Sequence, residues 1–433
     1  MSLTAIGIIG IFILVVVLFS NMPVGFVMGL IGFLGFSYIK GFGPGLSIMA
    51  KDFFEIFSSY GLTVIPLFIF MGQLSYRSGI SRRLYDSAYV LFGSRKGGLA
   101  MATVGACAGF AAISGSTNAT AATMATVTLP EMKRYGYDMG LATGTVAAAG
   151  SLGILIPPSV IFIVYGILTE QSIGALFAAG ILPGILLTFL FLLVIYLRVL
   201  KNPSLAPPGP KTSLKKKIKS FAGVIETLII FLMVMGGIFF GIFTPTEAAA
   251  AGAFVTLFLA IVRKQLTWQG FLSAIADTTR ISCMVMVIVA GATIFGHFMA
   301  VTRVPFDIAN WVSQLPLPGY AIMIVIILIY LFGGFFMDAF ALIMLTVPIF
   351  FPVSQALGYD PIWFGVVIVL ITEMGVITPP VGINVYVVHG VANDVPLDVI
   401  FKGVFPMLLA LLFCNLVILF FPQIALFLPN LMR

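Results

Sequence analysis

Charge is scarce in this 433-residue chain: only 9% of its residues are Asp, Glu, Lys or Arg, against 61% that are hydrophobic. An ordinary globular domain carries about 25% charge and about 45–50% apolar residues. Together with a mean hydropathy of +1.17, that shortage excludes a soluble globular enzyme, a disordered chain and a nucleic-acid-binding protein. The apolar–polar alternation of membrane β-barrel strands is missing as well, because apolar runs such as residues 6–19, 227–243 and 320–332 are continuous. Cysteine is rare. Cys107, Cys283 and Cys414 lie singly within apolar segments, without metal-ligand spacing, and read as small hydrophobes. Residues 1–7 contain no Lys or Arg, so the first apolar run lacks the basic flank of a signal peptide and is expected to be a retained helix. What the chain does have is 45 Gly and 24 Pro, many for straight spanning helices and a sign of broken ones. The composition is that of an all-α polytopic membrane protein.

The sequence repeats itself. Shifted by 222 residues, Gly136-Tyr137-Asp138 falls on Gly358-Tyr359-Asp360, Gly153 on Gly375, Pro157-Pro158 on Pro379-Pro380, and Pro130 on Pro352. A constant offset over these positions is not what chance matching of Gly and Pro produces. Two halves are expected, residues 1–200 and 221–433, joined by the polar, basic segment 201–220. A spanning helix needs about 20 apolar residues. In the first half, spans are expected near residues 3–20, 23–39, 62–77, 139–168 and 175–199. Residues 97–130 are apolar at both ends with a small polar centre, which fits a re-entrant helical hairpin better than two crossings. Its counterpart is 319–352, and the broken helix 139–168 has its counterpart at 363–389. Five crossings per half is an odd number, so the second half must be inverted.

Basic residues support that threading. With the 201–220 segment in the cytoplasm, 18 of the 22 Lys and Arg fall inside, and only Lys40, Lys51, Arg303 and Arg433 fall outside. Both termini are then periplasmic. Residues 46–60 and 266–280 occupy equivalent places and are expected to be amphipathic arms in the plane of the interface.

Inverted repeats with paired broken helices point to a secondary transporter whose sites lie near the midplane. Three places carry the chemistry. The first hairpin tip, Ser114-Gly115-Ser116-Thr117-Asn118-Ala119-Thr120, offers hydroxyl, amide and carbonyl oxygens, the hard ligands a sodium ion prefers. At the second place, the Pro-Pro pairs remove donors and block the helix, freeing the carbonyls of residues 153–156 and 375–378. The half-helices beyond them begin at Ser159 and near Gly382 and Asn384, where free N–H groups suit an anion. Third is Asp338, a mid-membrane acid at the tip of the second hairpin, a functional site by default. Glu373 is the other deep acid. No Lys or Arg falls inside a span on this threading, so helix N-termini and bound cations must supply positive potential to an anionic substrate.

At these motifs the chain resembles the large membrane subunit of a tripartite ATP-independent periplasmic (TRAP) transporter. The likeness rests on Ser114–Thr120, on Leu129-Pro130-Glu131-Met132 with Tyr135-Gly136-Tyr137, and on residues 153–159. In the second half it rests on Gly333-Gly334 with Asp338, and on Thr378-Pro379-Pro380-Val381-Gly382-Ile383-Asn384. The resemblance implies an elevator-type secondary transporter in the bacterial inner membrane. Hairpins and broken helices would form the transport domain; the remaining helices and the arms would form the scaffold. It further implies uptake of a small carboxylate, such as a dicarboxylate, sialic acid or another sugar acid, driven by about two or more sodium ions without an organic cofactor. The implied partners are a periplasmic binding protein and a small four-helix membrane subunit, here expected as a separate polypeptide. On this reading sodium is held by Ser114, Ser116, Asn118, Gly153 and Ile156 on one side, and by Gly334, Asp338, Gly375 and Thr378 on the other. Substrate is then expected at Ser116, Thr117, Asn118, Ser159, Asp338, Gly382 and Asn384. The runner-up is a stand-alone sodium/carboxylate symporter of the divalent-anion type. An intramembrane protease, with Ser114 and His297 or His389, or with Asp338 and Asp138, lacks the motifs that such chemistry needs.

Overall fold

The computed structural model describes residues 2–18, 20, 22–209 and 212–432. Lys211 and Arg433, assigned above to the inner and outer faces, and Met1 lie outside the described residues. The first half opens with α1 (Leu3–Leu18), α2 (Val24–Lys40), α3 (Phe42–Ser58), α4 (Val64–Arg77) and α5 (Ile80–Phe92). The pair α6 (Gly98–Ser114) and α7 (Thr117–Arg134) follows, then α8 (Met139–Leu155), α9 (Val160–Thr169) and α10 (Ile173–Lys201). Next come α11 (Leu214–Ser220), α12 (Ala222–Phe231), α13 (Gly237–Phe239), α14 (Pro245–Val262), α15 (Trp268–Thr302) and α16 (Val304–Gln314). A second pair, α17 (Gly319–Gly334) and α18 (Ala339–Ala356), precedes α19 (Pro361–Gly375), α20 (Ile383–Val391), α21 (Leu397–Phe420) and α22 (Gln423–Leu431). No strand occurs among the described residues.

Seven helical stretches among the described residues are long and apolar enough to cross a membrane, eight if the bent pair α3–α4 is one span. The crossings expected at 3–20 and 23–39 are helices of only 16 and 17 residues. Conversely α18, read as one arm of a re-entrant hairpin, is long and apolar enough to span.

The repeated triplet has a repeated physical role. Gly136 and Gly358 both adopt left-handed backbone, at φ +70° and +77°, which glycine enters without steric cost. Asp138 then caps α8 by accepting from the Leu141 N–H at 2.8 Å. Asp360 caps α19 in the same way, accepting from the N–H groups of Ile362 and Trp363 at 2.8 and 3.1 Å. These caps satisfy first-turn donors that have no partner within the helix.

Both helices so started are central rods. From Gly140 to Leu155, and from Ile362 to Gly375, every residue is buried. In α8 the sequence is rich in Gly and Ala, and small residues let helix backbones approach closely where lipid supplies no hydrophobic drive. An ideal Cβ on Gly403 of α21 would lie 1.8 Å from the Gly140 carbonyl oxygen, so α8 and α21 touch backbone to backbone. Large apolar side chains left exposed on α1, α2, α10, α12, α14 and α17 face outward, as a lipid-contacting surface requires.

The second of the two expected arms differs from the first. Residues 268–280 are not a separate helix but the first part of α15, which runs unbroken for 35 residues. Arg280 therefore belongs to the same helix as the third crossing of the second half, on an exposed face. In the first half the equivalent stretch does break, with a 52° bend between α3 and α4. The joining segment follows α10 directly. It docks on the first half, where Leu205 O accepts from Asp138 N–H at 2.9 Å and Ala206 O from Gly97 N–H at 3.1 Å.

Candidate functional site

Ser114 ends α6, Gly115 turns the chain at φ +61°, and Ser116 caps α7. Only glycine fits this turn, because a Cβ at Gly115 would lie 2.7 Å from the Pro158 carbonyl oxygen. A Cβ on Gly153 would likewise lie 2.5 Å from Ser116 O. The first hairpin tip is thus seated directly on the break between α8 and α9. Ser114 Oγ and Thr120 Oγ1 are 2.9 Å apart, and Thr120 Oγ1 donates to Ser116 O at 2.7 Å. The oxygens of Ser114, Ser116 and Thr120 thus form one cluster at the tip, with the Pro158 carbonyl oxygen packed against Gly115. Asn118 is exposed at the tip. Ile156 directs its side chain away, against Gly184 of α10, so only its backbone is in reach of the tip.

The second half repeats the contact with different chemistry. Gly334, at the end of α17, meets Gly375, at the end of α19: a Cβ on Gly334 would stand 2.9 Å from the Gly375 Cα. Asp338 caps α18, its Oδ1 accepting from the N–H groups of Phe340 and Ala341 at 2.9 and 3.1 Å. Only one carboxyl oxygen makes this cap, so the tip carries an acidic group where the first tip has only hydroxyl and amide side chains. Both Pro157-Pro158 and Pro379-Pro380 are cis.

Several of the expected ligands have other work. Ser159 is fully buried and caps α9, its Oγ donating to Ile154 O at 2.5 Å and accepting from Phe162 N–H at 3.4 Å. The hydroxyl of Thr378 donates to Met374 O at 2.5 Å. Gly382 is left-handed at φ +54° and starts α20. Asn384, expected to meet substrate, has both ends of its amide engaged by protein: Thr117 Oγ1 donates to its Oδ1, and its Nδ2 donates to Ala147 O at 3.1 Å. Glu373 is buried in α19 with neither carboxylate oxygen hydrogen-bonded.

A cavity of about 60 Å³ lies against the first tip, lined by Ser114, Gly115, Ser116 and Ala119 with Ile69 and Val160, and by Phe340 from the second helix pair. Each buried water needs at least about 10–15 Å³ of such volume. The space admits a few waters or an ion, and a sugar acid only if the tips part. Gln73 and Gly72 of α4 and Ile281 and Val285 of α15 complete the wall. Sequence reasoning missed Gln73, a polar residue interrupting an otherwise apolar helix, and that interruption was its one visible signal. Basic side chains are absent from this wall. They collect instead in other clusters, such as Arg83 and Arg263 on Glu226, Arg77 on Asp277, and Lys133 on Asp394.

Residues 11–424 match the family model described as tripartite ATP-independent periplasmic transporter, DctM component. The chain is 38% identical over 385 residues, 88% of this chain and 89% of the relative, to the C4-dicarboxylate TRAP transporter large permease protein DctM of Pseudomonas aeruginosa. It is 34% identical over 415 residues, covering 96% of each, to the sialic acid TRAP transporter large permease protein SiaM of Vibrio cholerae. Among solved structures it is similar in fold to the YdaH transporter of Alcanivorax borkumensis, with a TM-score of 0.63, 16% identity and 88% of each chain covered.

Proposed function

The chain belongs to the tripartite ATP-independent periplasmic transporter family, as its DctM component, and on that premise we propose that it takes up a small carboxylate across the bacterial inner membrane, driven by sodium. The observation that carries this reading is the pair of tip-on-break junctions, Ser116 on Gly153 and Gly334 on Gly375. Each gathers oxygen ligands at a helix interruption in the interior. Sodium sits beside Ser114, Ser116 and the Gly153 carbonyl at one junction, and beside Asp338 and the Gly375 carbonyl at the other. The carboxylate lies between the tips, over the small cavity, facing bound cations and the starts of α7 and α18 in place of a basic side chain.

In the transport cycle, the two helix pairs with α8–α9 and α19–α20 move as one body against a scaffold of the outer helices, in an elevator motion between inverted halves. Relatives named for C4-dicarboxylates and for sialic acid support a carboxylate cargo. A periplasmic binding protein delivers it, and a small membrane subunit completes the scaffold. Two sodium ions with a monoanion carry a net charge of +1 inward, and a 100 mV potential contributes roughly 2.3 kcal/mol per charge. The reading is tested by uptake into proteoliposomes that hold the complete complex, with binding protein and a panel of carboxylates. Uptake is expected to collapse when choline replaces sodium; undiminished uptake would refute sodium coupling. Uptake at full rate without binding protein would favour the stand-alone symporter.

A further inference from the structure

Asn384 joins three elements that otherwise belong to two separate junctions. It is 0% exposed. Its Oδ1 accepts from the hydroxyl of Thr117, the first residue of α7 at the first tip. Its Nδ2 donates to Ala147 O in the core of α8, at 3.1 Å. Its backbone N–H donates to Val376 O, just past α19 at the second break, at 3.0 Å. The Thr117 and Asn384 side chains are 267 residues apart in sequence, so this one amide ties the first hairpin to the second broken helix. A buried amide held by protein through both its oxygen and its nitrogen fixes its own orientation and that of its partners.

We propose that Asn384 is a positioning residue that couples the two junctions, so that a cation held at one raises the affinity of the other. This rests on the sodium reading above. The mechanism is local. Ser116, whose carbonyl lies over Gly153, precedes Thr117 directly, while Val376 follows Gly375 directly. Ordering the first tip around an ion fixes the Thr117 hydroxyl, which holds the Asn384 side chain. The same residue's N–H holds the Val376 peptide, and with it the carbonyls of the second break. Ordering one junction thereby removes part of the entropic cost of ordering the other, which is positive cooperativity without a large structural change.

The experiment is a sodium titration of the purified large and small subunits together, with sodium alone as ligand and choline holding ionic strength constant. Stabilisation against heat is read at each concentration. The wild-type complex is expected to respond with a Hill coefficient approaching the number of coupled sites, about 2. Thr117→Val keeps the shape of the side chain and removes only the donor. It is expected to bring the coefficient to about 1 and to raise half-saturating sodium by roughly tenfold, within the ordinary range of coupling between sites. Asn384→Ala should do the same, and the double variant should be no worse than Asn384→Ala alone. A purely structural role would lower the melting point in choline and leave the Hill coefficient where it was. If Asn384→Ala does not fold, Thr117→Val decides. A cooperative wild type with equally cooperative variants overturns the coupling and leaves the sodium reading intact. A wild type that sodium does not stabilise at all overturns both.

Discussion

The two Pro-Pro breaks share a sequence motif and a cis peptide bond, yet one is sealed and the other open. Pro157 and Pro158 are buried, whereas Pro379 and Pro380 are exposed. What differs is the cover. The first hairpin sits its turn against the Pro158 carbonyl, and α10 closes over Ile156 through Gly184. The second hairpin makes the equivalent contact at Gly375 and leaves its Pro-Pro turn exposed. Charge differs as well. The first tip is neutral, built from Ser114, Ser116 and Thr120, whereas the second carries Asp338. The two junctions are thus a closed one without an acidic side chain and an open one that carries Asp338.

The largest expected effect comes from that difference in charge. Asp338→Asn keeps a side-chain oxygen for the α18 cap and deletes the negative charge. A hydrogen bond to a charged group is worth about 1.5–3 kcal/mol and a neutral one about 0.5–1.5 kcal/mol. The difference is about 1–1.5 kcal/mol, so Asp338→Asn should lower sodium-driven uptake by roughly tenfold, and Ser116→Ala, which loses one neutral oxygen, by only a few-fold. Equal losses would erase the distinction between the tips.

Backbone seating comes next. Gly115→Ala forces a β-carbon into left-handed backbone and against the Pro158 carbonyl. Gly136→Ala meets the same backbone strain at φ +70° with open space around it. Left-handed strain costs roughly 1–2 kcal/mol, and forced overpacking typically a further 1–3 kcal/mol. Thermal unfolding should rank Gly115→Ala clearly below Gly136→Ala, and equal melting points would mean that the tip is not seated on the break. Accessibility gives a third contrast. In a background with exposed Cys283 replaced, Thr378→Cys should react with a water-soluble maleimide and Ser159→Cys should not.

Much of this was legible in the chain, and the misses have physical causes. Gly136-Tyr137-Asp138 and its repeat stood out as a matched motif because a left-handed glycine followed by a capping Asp is a local device that needs no tertiary context. The polar tip and the Pro-Pro breaks were visible for the same reason. By contrast, α5 and α16 were not anticipated, since Arg82, Arg83 and Asp86 on one and Asp307 on the other dilute their apolar faces below what a span requires. The continuity of α15 was missed by leaning on symmetry. Around residues 58–61 the first half has Ser58-Ser59-Tyr60-Gly61, but residues 277–282 contain neither Gly nor Pro and nothing stops the helix. The Thr117–Asn384 contact joins positions too far apart for any local pattern to reveal.

The smallest expected effect lies away from the junctions. Lys133, near the end of α7, pairs with Asp394, between α20 and α21. Hydrogen bonding to the Lys133 ammonium holds the Asp394 carboxyl below its ordinary range. Its contribution is present at neutral pH and is lost as pH falls through that lowered value. Asp394→Asn should leave uptake at neutral pH unchanged and flatten only the acid limb of the stability profile. A large loss at neutral pH would give this exposed pair a role that its geometry does not suggest.

The most direct measurement is the ratio of radioactive sodium to labelled carboxylate entering proteoliposomes that contain the whole complex. Two occupied junctions predict at least about two sodium ions per carboxylate in the wild type, and a lower ratio when Asp338 is replaced. Substrate entry with no accompanying sodium, or a ratio that Asp338→Asn leaves unchanged, would contradict the account.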